Sequence, residues 1–207
     1  MSTQDLFHRD LVIEVAIAIA VFVLVTGTMF FAVAWFRRKP GREPTRVNSH
    51  PKLEAAYGVA VAAIAIFLIV NSITTNDDRL DTKPAVTINV TAFQWCWRFQ
   101  YPGGPTVAGR CVGGDVPTAV VPVGKVIRFD VTSDDVVHAF WIPYLKYKTY
   151  AYPDHVNSFE ARFSKAGTYQ GRCAEFCGLY HSDMEFEVKA VPAADFSNWI
   201  AQRSSTS

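Results

Sequence analysis

Two Cys, a His and a Met, side chains able to hold a soft metal ion, crowd into one short stretch, C-A-E-F-C-G-L-Y-H-S-D-M from Cys173 to Met184, with an isolated His138 about one strand earlier. Two thiols, two imidazoles and a thioether form a donor set that favours copper. One Cys, two His and a weak Met suffice for a single copper, so the second Cys, four residues on, asks for an explanation. Two copper ions bridged by both sulfurs supply one, each ion taking one His, with Met184 on one and a main-chain carbonyl on the other. A tetrahedral Cys2His2 zinc site draws on the same residues but leaves Met184 without a role. A Cys173 to Cys177 disulfide suits an oxidising compartment but leaves both histidines idle. Residue types and spacing alone keep all three open.

From Pro84 onward, short β-rich pieces separated by turn signals must position these ligands: AVTINVTAFQWCWRFQY, a PGGP turn, VPTAVVPVG, KVIRFDVTS, VHAFWIP, VNSFEARFS, KAGTYQGRC and MEFEVKAV. Alternating apolar residues, as in Val126, Phe129 and Val131 or Phe159, Ala161 and Phe163, predict half-buried strands. The pattern predicts an all-β Greek-key sandwich or barrel. Pro192 to Arg203, with Phe196, Trp199 and Ile200, reads as a short amphipathic helix.

The first third is of a different kind. Leu11 to Phe36 and Ala55 to Ile73 are apolar runs long enough to cross a hydrocarbon core of roughly 30 Å as helices. Both lack a polar face, which argues against core helices of a soluble protein. A cleaved leader is disfavoured, because Asp5 and Asp10 precede the first run and Arg-Arg-Lys follows it without a small-residue cleavage site. The intervening loop carries Arg37, Arg38, Lys39, Arg42, Arg46 and Lys52 against Glu43 alone, which predicts a cytoplasmic loop with both chain ends outside. Expected boundaries are therefore a transmembrane hairpin over 1–76, a β domain over 77–191, and a helix with tail over 192–207. Glu14 in the first span costs a few kcal/mol against lipid and belongs near the outer interface or against a partner.

The 20 basic and 19 acidic residues leave a net charge of +1, so no strong field points to nucleic acid. No C-x-x-C-H is present, so the chain carries no c-type haem of its own.

H-x-F-W-I-P at His138 together with C-x-E-x-C-G-x-x-H-x-x-M closely resembles the copper-bearing subunit II of cytochrome c oxidase, a haem-copper oxidase component. The likeness extends to the helix pair, to Gln94-Trp95-Cys96-Trp97, to Ser133-Asp134-Asp135 and to Gly167-Thr168-Tyr169. It implies a cupredoxin-like domain and a binuclear CuA centre held by His138, Cys173, Cys177, His181, Met184 and the carbonyl of Glu175. The Glu175 carboxylate would reach a magnesium or manganese ion shared with subunit I. Trp95 is implied as the entry point for an electron from cytochrome c or a cytochrome bc1 complex, and Asp134 and Asp135 as docking acids. Trp95 and Trp97, on either side of Cys96, are expected to share one face of a strand. Glu54 matches an acid at the mouth of a proton-uptake route, although an acid at a helix N-terminus is also simply stabilising.

The implied activity is electron delivery to haem in subunit I for reduction of oxygen to water, with proton translocation, in a bacterial cell membrane with the copper domain outside. The corresponding subunit of a nitric oxide reductase is the nearest alternative, and a membrane-tethered zinc module a more distant one. A quinol oxidase subunit would lack the ligands, and the membrane hairpin and small size disfavour a nitrous oxide reductase.

Departures from the family pattern are local. Cys96 stands where a tyrosine is usual, and with Cys111 beyond the PGGP turn we expect a Cys96 to Cys111 disulfide. Tyr150 and Asp154 replace an Asp and a Gly, and Tyr57-Gly58 replaces Trp-Thr. The acids that usually follow the Trp motif are absent, and from Thr74 onward 13 basic residues face 14 acidic ones.

Overall fold

The computed structural model describes residues 3–37, 41, 49–77 and 83–204. Arg38, Lys39, Arg42, Glu43 and Arg46 of the basic loop lie outside the described residues, as does Asp78. Contacts divide the chain into Leu6–Asp77 and a second unit containing Asp78–Ser207 with Met1–Asp5.

The first unit is two helices, α1 (Thr3–Trp35) and α2 (Pro51–Asp77). Their apolar stretches, Phe7–Trp35 and Pro51–Thr74, run 29 and 24 residues. At about 1.5 Å per residue each outreaches a bilayer core. None of either stretch is buried, so these are not core helices of a soluble fold; Phe22 and Val33 are among the side chains left open. α2 starts on Pro51, which gives up only an amide that no helical carbonyl would have used. The His50 carbonyl accepts from the amides of Leu53 and Glu54, both at 2.9 Å. The Glu54 carboxylate in return accepts the His50 amide at 2.9 Å and the Ser49 hydroxyl at 3.3 Å, closing the helix start as a capping acid does.

The second unit holds two five-stranded sheets. One runs β3 (Thr106–Ala108), β2 (Cys96–Gln100), β1 (Val86–Phe93), β5 (Val126–Ser133), β8 (Asn157–Arg162). The other runs β4 (Thr118–Pro122), β10 (Glu185–Val191), β9 (Gly167–Cys173), β6 (His138–Ile142), β7 (Tyr147–Ala151). β1 with β5, and β10 with β4, pair in parallel; the other pairs are antiparallel. The period-two patterning does what the pleat demands: Ile88, Val90 and Ala92 on β1 and Ile127, Phe129 and Val131 on β5 are all fully buried. Between the sheets Phe140 stacks on Phe186 at 4.2 Å, and Trp97 meets both edge-on at 5.3 Å. Each such ring contributes about 1.5–3 kcal/mol by leaving water. Helix α3 (Ala193–Ser204) closes one end, with Trp199 5.2 Å from Tyr101. The buried Tyr101 hydroxyl donates to the Val120 carbonyl and accepts the Val120 amide, both at 2.7 Å.

One sequence expectation is corrected. AVTINVTAFQWCWRFQY is not one strand but two, joined by the two-residue turn Gln94-Trp95, with Phe93 opposite Cys96. Trp95 therefore does not share a strand face with Trp97. It sits half-buried in the turn, whereas Cys96 and Trp97 both go into the core. Neither Gln nor Trp is a turn former, so no local signal announces the reversal.

Cys96, the first residue of β2, is joined by a disulfide to Cys111 in the loop after β3, with Cα atoms 5.2 Å apart. That bond ties the 109–117 loop to the strand bearing Trp97.

Candidate metal centre

Strand β6 opens on His138, β9 ends on Cys173, and the loop and short turn before β10 carry Cys177, His181 and Met184. Main-chain bonds fasten this loop at its root: the Cys173 amide donates to the Met184 carbonyl at 2.9 Å and the Ala174 amide to the Ala139 carbonyl at 3.0 Å. His138, Cys173, Cys177 and Met184 are all buried.

The two Sγ atoms stand 3.9 Å apart, and both cysteines are free. A disulfide needs about 2.05 Å, whereas an ion about 2.3 Å from sulfur touches both. Each thiol has its own imidazole: Cys173 Sγ lies 3.8 Å from His138 Nδ1, and Cys177 Sγ lies 3.5 Å from His181 Nδ1. Met184 Sδ is 3.7 Å from Cys177, and the Glu175 carbonyl is 3.2 Å from Cys173. Among the described residues, His138, Cys173 and Cys177 have ligand atoms all within 4.8 Å of one another, and His181 is outside that group. A single tetrahedral ion would draw all four together; one His and one further donor beside each sulfur suits two ions sharing the thiols. The soft donors and this spacing fit copper.

Protonation is divided between the thiols. Burial opposes ionisation of Cys173, but its hydrogen bond with His138 and main-chain bonds around Ala139 and Glu175 bring the thiol down to about 7. Burial and the neighbouring Cys173 push Cys177 up to about 12. Metal uptake must therefore displace a proton from Cys177.

Asp135 is the residue whose role the sequence reading missed. Its Oδ1 is 2.8 Å from His138 Nε2 and accepts the Val136 amide at 2.6 Å, while Oδ2 accepts the Gln94 amide at 2.6 Å. Burial alone would raise its pKa, but these bonds lower it. Burial alone would lower that of His138, yet Cys173 and Asp135 together raise it. An acid three residues before a candidate ligand His was the available signal, since a ligating imidazole needs a partner on its other nitrogen. Asp134 instead pairs with Arg98 at 3.3 Å.

The Gln94-Trp95 turn leans on the same loop. Gln94 Nε2 and Trp95 Nε1 both donate to the Cys177 carbonyl, at 2.8 and 3.2 Å. A side chain at Gly178, whose φ is +118°, would meet Trp95 Nε1 at 3.2 Å. Trp97 approaches from inside, its ring 6.2 Å from that of His138. Glu54 belongs to the helical unit and is not part of this cluster; its carboxylate is occupied at the start of α2.

A cupredoxin-like domain with a soft, two-thiol metal site, carried on a chain with two membrane-length apolar helices, defines a class of membrane-attached electron-transfer proteins. Comparison with known proteins narrows the class. The family model "Cytochrome C oxidase subunit II, periplasmic domain" matches residues 108–191. A "Probable cytochrome c oxidase subunit 2" of Streptomyces coelicolor is 32% identical over 85% of this chain and 68% of its own length. One of Rickettsia conorii is 29% identical over 97% and 67%. The crystal structure of the periplasmic domain of subunit II of cytochrome oxidase (CoxB) of Bradyrhizobium japonicum is 33% identical, with a TM-score of 0.56, over 60% of this chain and 97% of that one. The chain belongs to the cytochrome c oxidase subunit II family.

Proposed function

We propose that this chain is the electron-entry subunit of a haem-copper terminal oxidase, anchored by α1 and α2 in a bacterial membrane with its β domain on the outer face. The single observation that carries the reading is the pair of free thiols 3.9 Å apart, each beside its own imidazole. The ligands are His138, Cys173, Cys177, His181, Met184 and the carbonyl of Glu175, and a copper pair held there supplies a one-electron carrier.

The chain's own residues then have distinct tasks. Trp95 presents an aromatic edge toward a c-type cytochrome and, through its bond to the Cys177 carbonyl, connects that edge to a ligand. Asp135 holds His138 in the orientation that frees Nδ1 for the metal. Buried walls around Met184 and Cys173 exclude water and keep the polarity of the site fixed. The electron passes on to haem in subunit I, where oxygen is reduced to water. The Glu175 carboxylate is assigned to a magnesium or manganese ion shared with subunit I, and residues 1–76, 77–191 and 192–207 serve as anchor, copper domain and closing helix.

Metal analysis of the purified complex tests the reading. Two coppers attributable to this chain, with a purple colour and a multi-line paramagnetic signal lost in Cys177→Ser, are expected. Zinc in their place, or a Cys173 to Cys177 disulfide in the native complex, would falsify it.

A further inference from the structure

The electron-entry face carries several exposed apolar side chains. Trp95 packs edge-on against Tyr180, ring centroids 5.0 Å apart. Next to Tyr180, which is 38% exposed, Leu179 is 78% exposed. Val136, 40% exposed, follows Asp135, whose carboxylate reaches back to the Gln94 amide beside Trp95. Trp95 and Tyr180 thus touch, and Leu179 and Val136, exposed and uncharged, adjoin in sequence the residues that hold this turn.

Asp134 and Asp135, two acids beside this turn, are already engaged. Asp134 Oδ2 is 3.3 Å from Arg98 Nη1, and the Arg98 guanidinium also lies over the Phe93 ring at 5.3 Å. Asp135 faces His138 and two main-chain amides. A close pair of opposite charges has a field that dies away within a Debye length of about 10 Å, so it gives little long-range pull on a basic protein. Without such steering, association relies on contact area and shape.

We propose that the donor docked here is a c-type haem domain whose haem edge is rimmed by uncharged apolar side chains, held by contact with Leu179, Tyr180, Val136 and Trp95, and not a strongly basic cytochrome steered by acids. The proposal rests on Trp95 being the entry point.

The test uses the purified oxidase complex, oxygen consumption, and two reduced cytochromes of matched potential, one strongly basic and one with a neutral haem rim. With the neutral donor, kcat/KM changes by about twofold or less between about 20 and 200 mM salt. With that donor, Leu179→Ser lowers kcat/KM about tenfold, the fold-change expected for one lost apolar anchor. Arg98→Gln unmasks Asp134 and raises kcat/KM for the basic donor at low salt about threefold or more. Copper content checks that each variant keeps its centre. A wild-type rate with the neutral donor below that with the basic one and falling tenfold with salt overturns the proposal. So does an Arg98→Gln variant indifferent to salt, or a Leu179→Ser complex that sheds subunits, which would make Leu179 a subunit contact. Trp95→Phe separates the two levels: if it leaves electron entry intact, the entry reading itself fails, whereas blocked entry with a steep salt slope sinks only the donor chemistry.

Discussion

Asp135 holds the imidazole of His138 on one side while Cys173 faces its other nitrogen, so the ring is fixed before any metal arrives. Loss of such a partner costs about 10–100-fold in metal affinity. Asp135→Ala should therefore give up copper to a chelator about that much more readily, and Asp135→Asn, which keeps an acceptor, much less so. Thiolate absorbance of the metal-free domain, titrated anaerobically, should rise in two well-separated steps. Cys173 ionises as the pH climbs through about 7, and Cys177 stays protonated until about 12. Two thiolates appearing together near the ordinary Cys value of about 8.5 would contradict the coupling described. Gly178→Ala should displace Trp95, since its Cβ would press on the indole nitrogen at 3.2 Å in a backbone conformation that side chains rarely adopt. Slower electron input with copper content unchanged is the expected result. The gathering of the candidate donors was legible at this scale because donor softness resides in single residues. The task of Asp135 was less so, because a carboxylate's partners are set by the fold and its position beside Asp134 suggested a docking patch instead.

Among the elements, the Cys96 to Cys111 bridge encloses 15 residues of sequence separation, and constraining a loop of that size in the unfolded chain is worth about 3 kcal/mol. Replacing both cysteines by serine should lower the unfolding free energy of the β domain by that amount, read by chemical unfolding. An unfolding free energy unchanged within about 0.5 kcal/mol would show the loop to be held by other means. The alternation in β1 and β5 exposed these strands to a reading by pattern, since a pleat with one buried face imposes period two. The turn at Gln94-Trp95 was invisible because neither residue favours a reversal on its own. It forms because Gln94 and Trp95 reach a carbonyl 82 residues or more away in sequence. The parallel pairing of β1 with β5 was beyond local pattern for the same reason: its partners are far apart in the chain.

In the whole molecule, the contacts among the candidate metal donors lie within the second unit. Residues 83–207 expressed alone should fold and bind two coppers with the colour of the intact complex, measured by metal content and optical spectrum. Loss of the second copper on removing the helices would mean that the anchor completes the site. The change between helices and strands was plain from composition, because membrane-length apolar runs and alternating strands are different textures of sequence. The loop root described above, with Cys173 bonded to the Met184 carbonyl and Ala174 to that of Ala139, has a kinetic meaning. Donor atoms braced by the peptide framework have little room to relax when an electron arrives or leaves, so tunnelling meets a small rearrangement barrier.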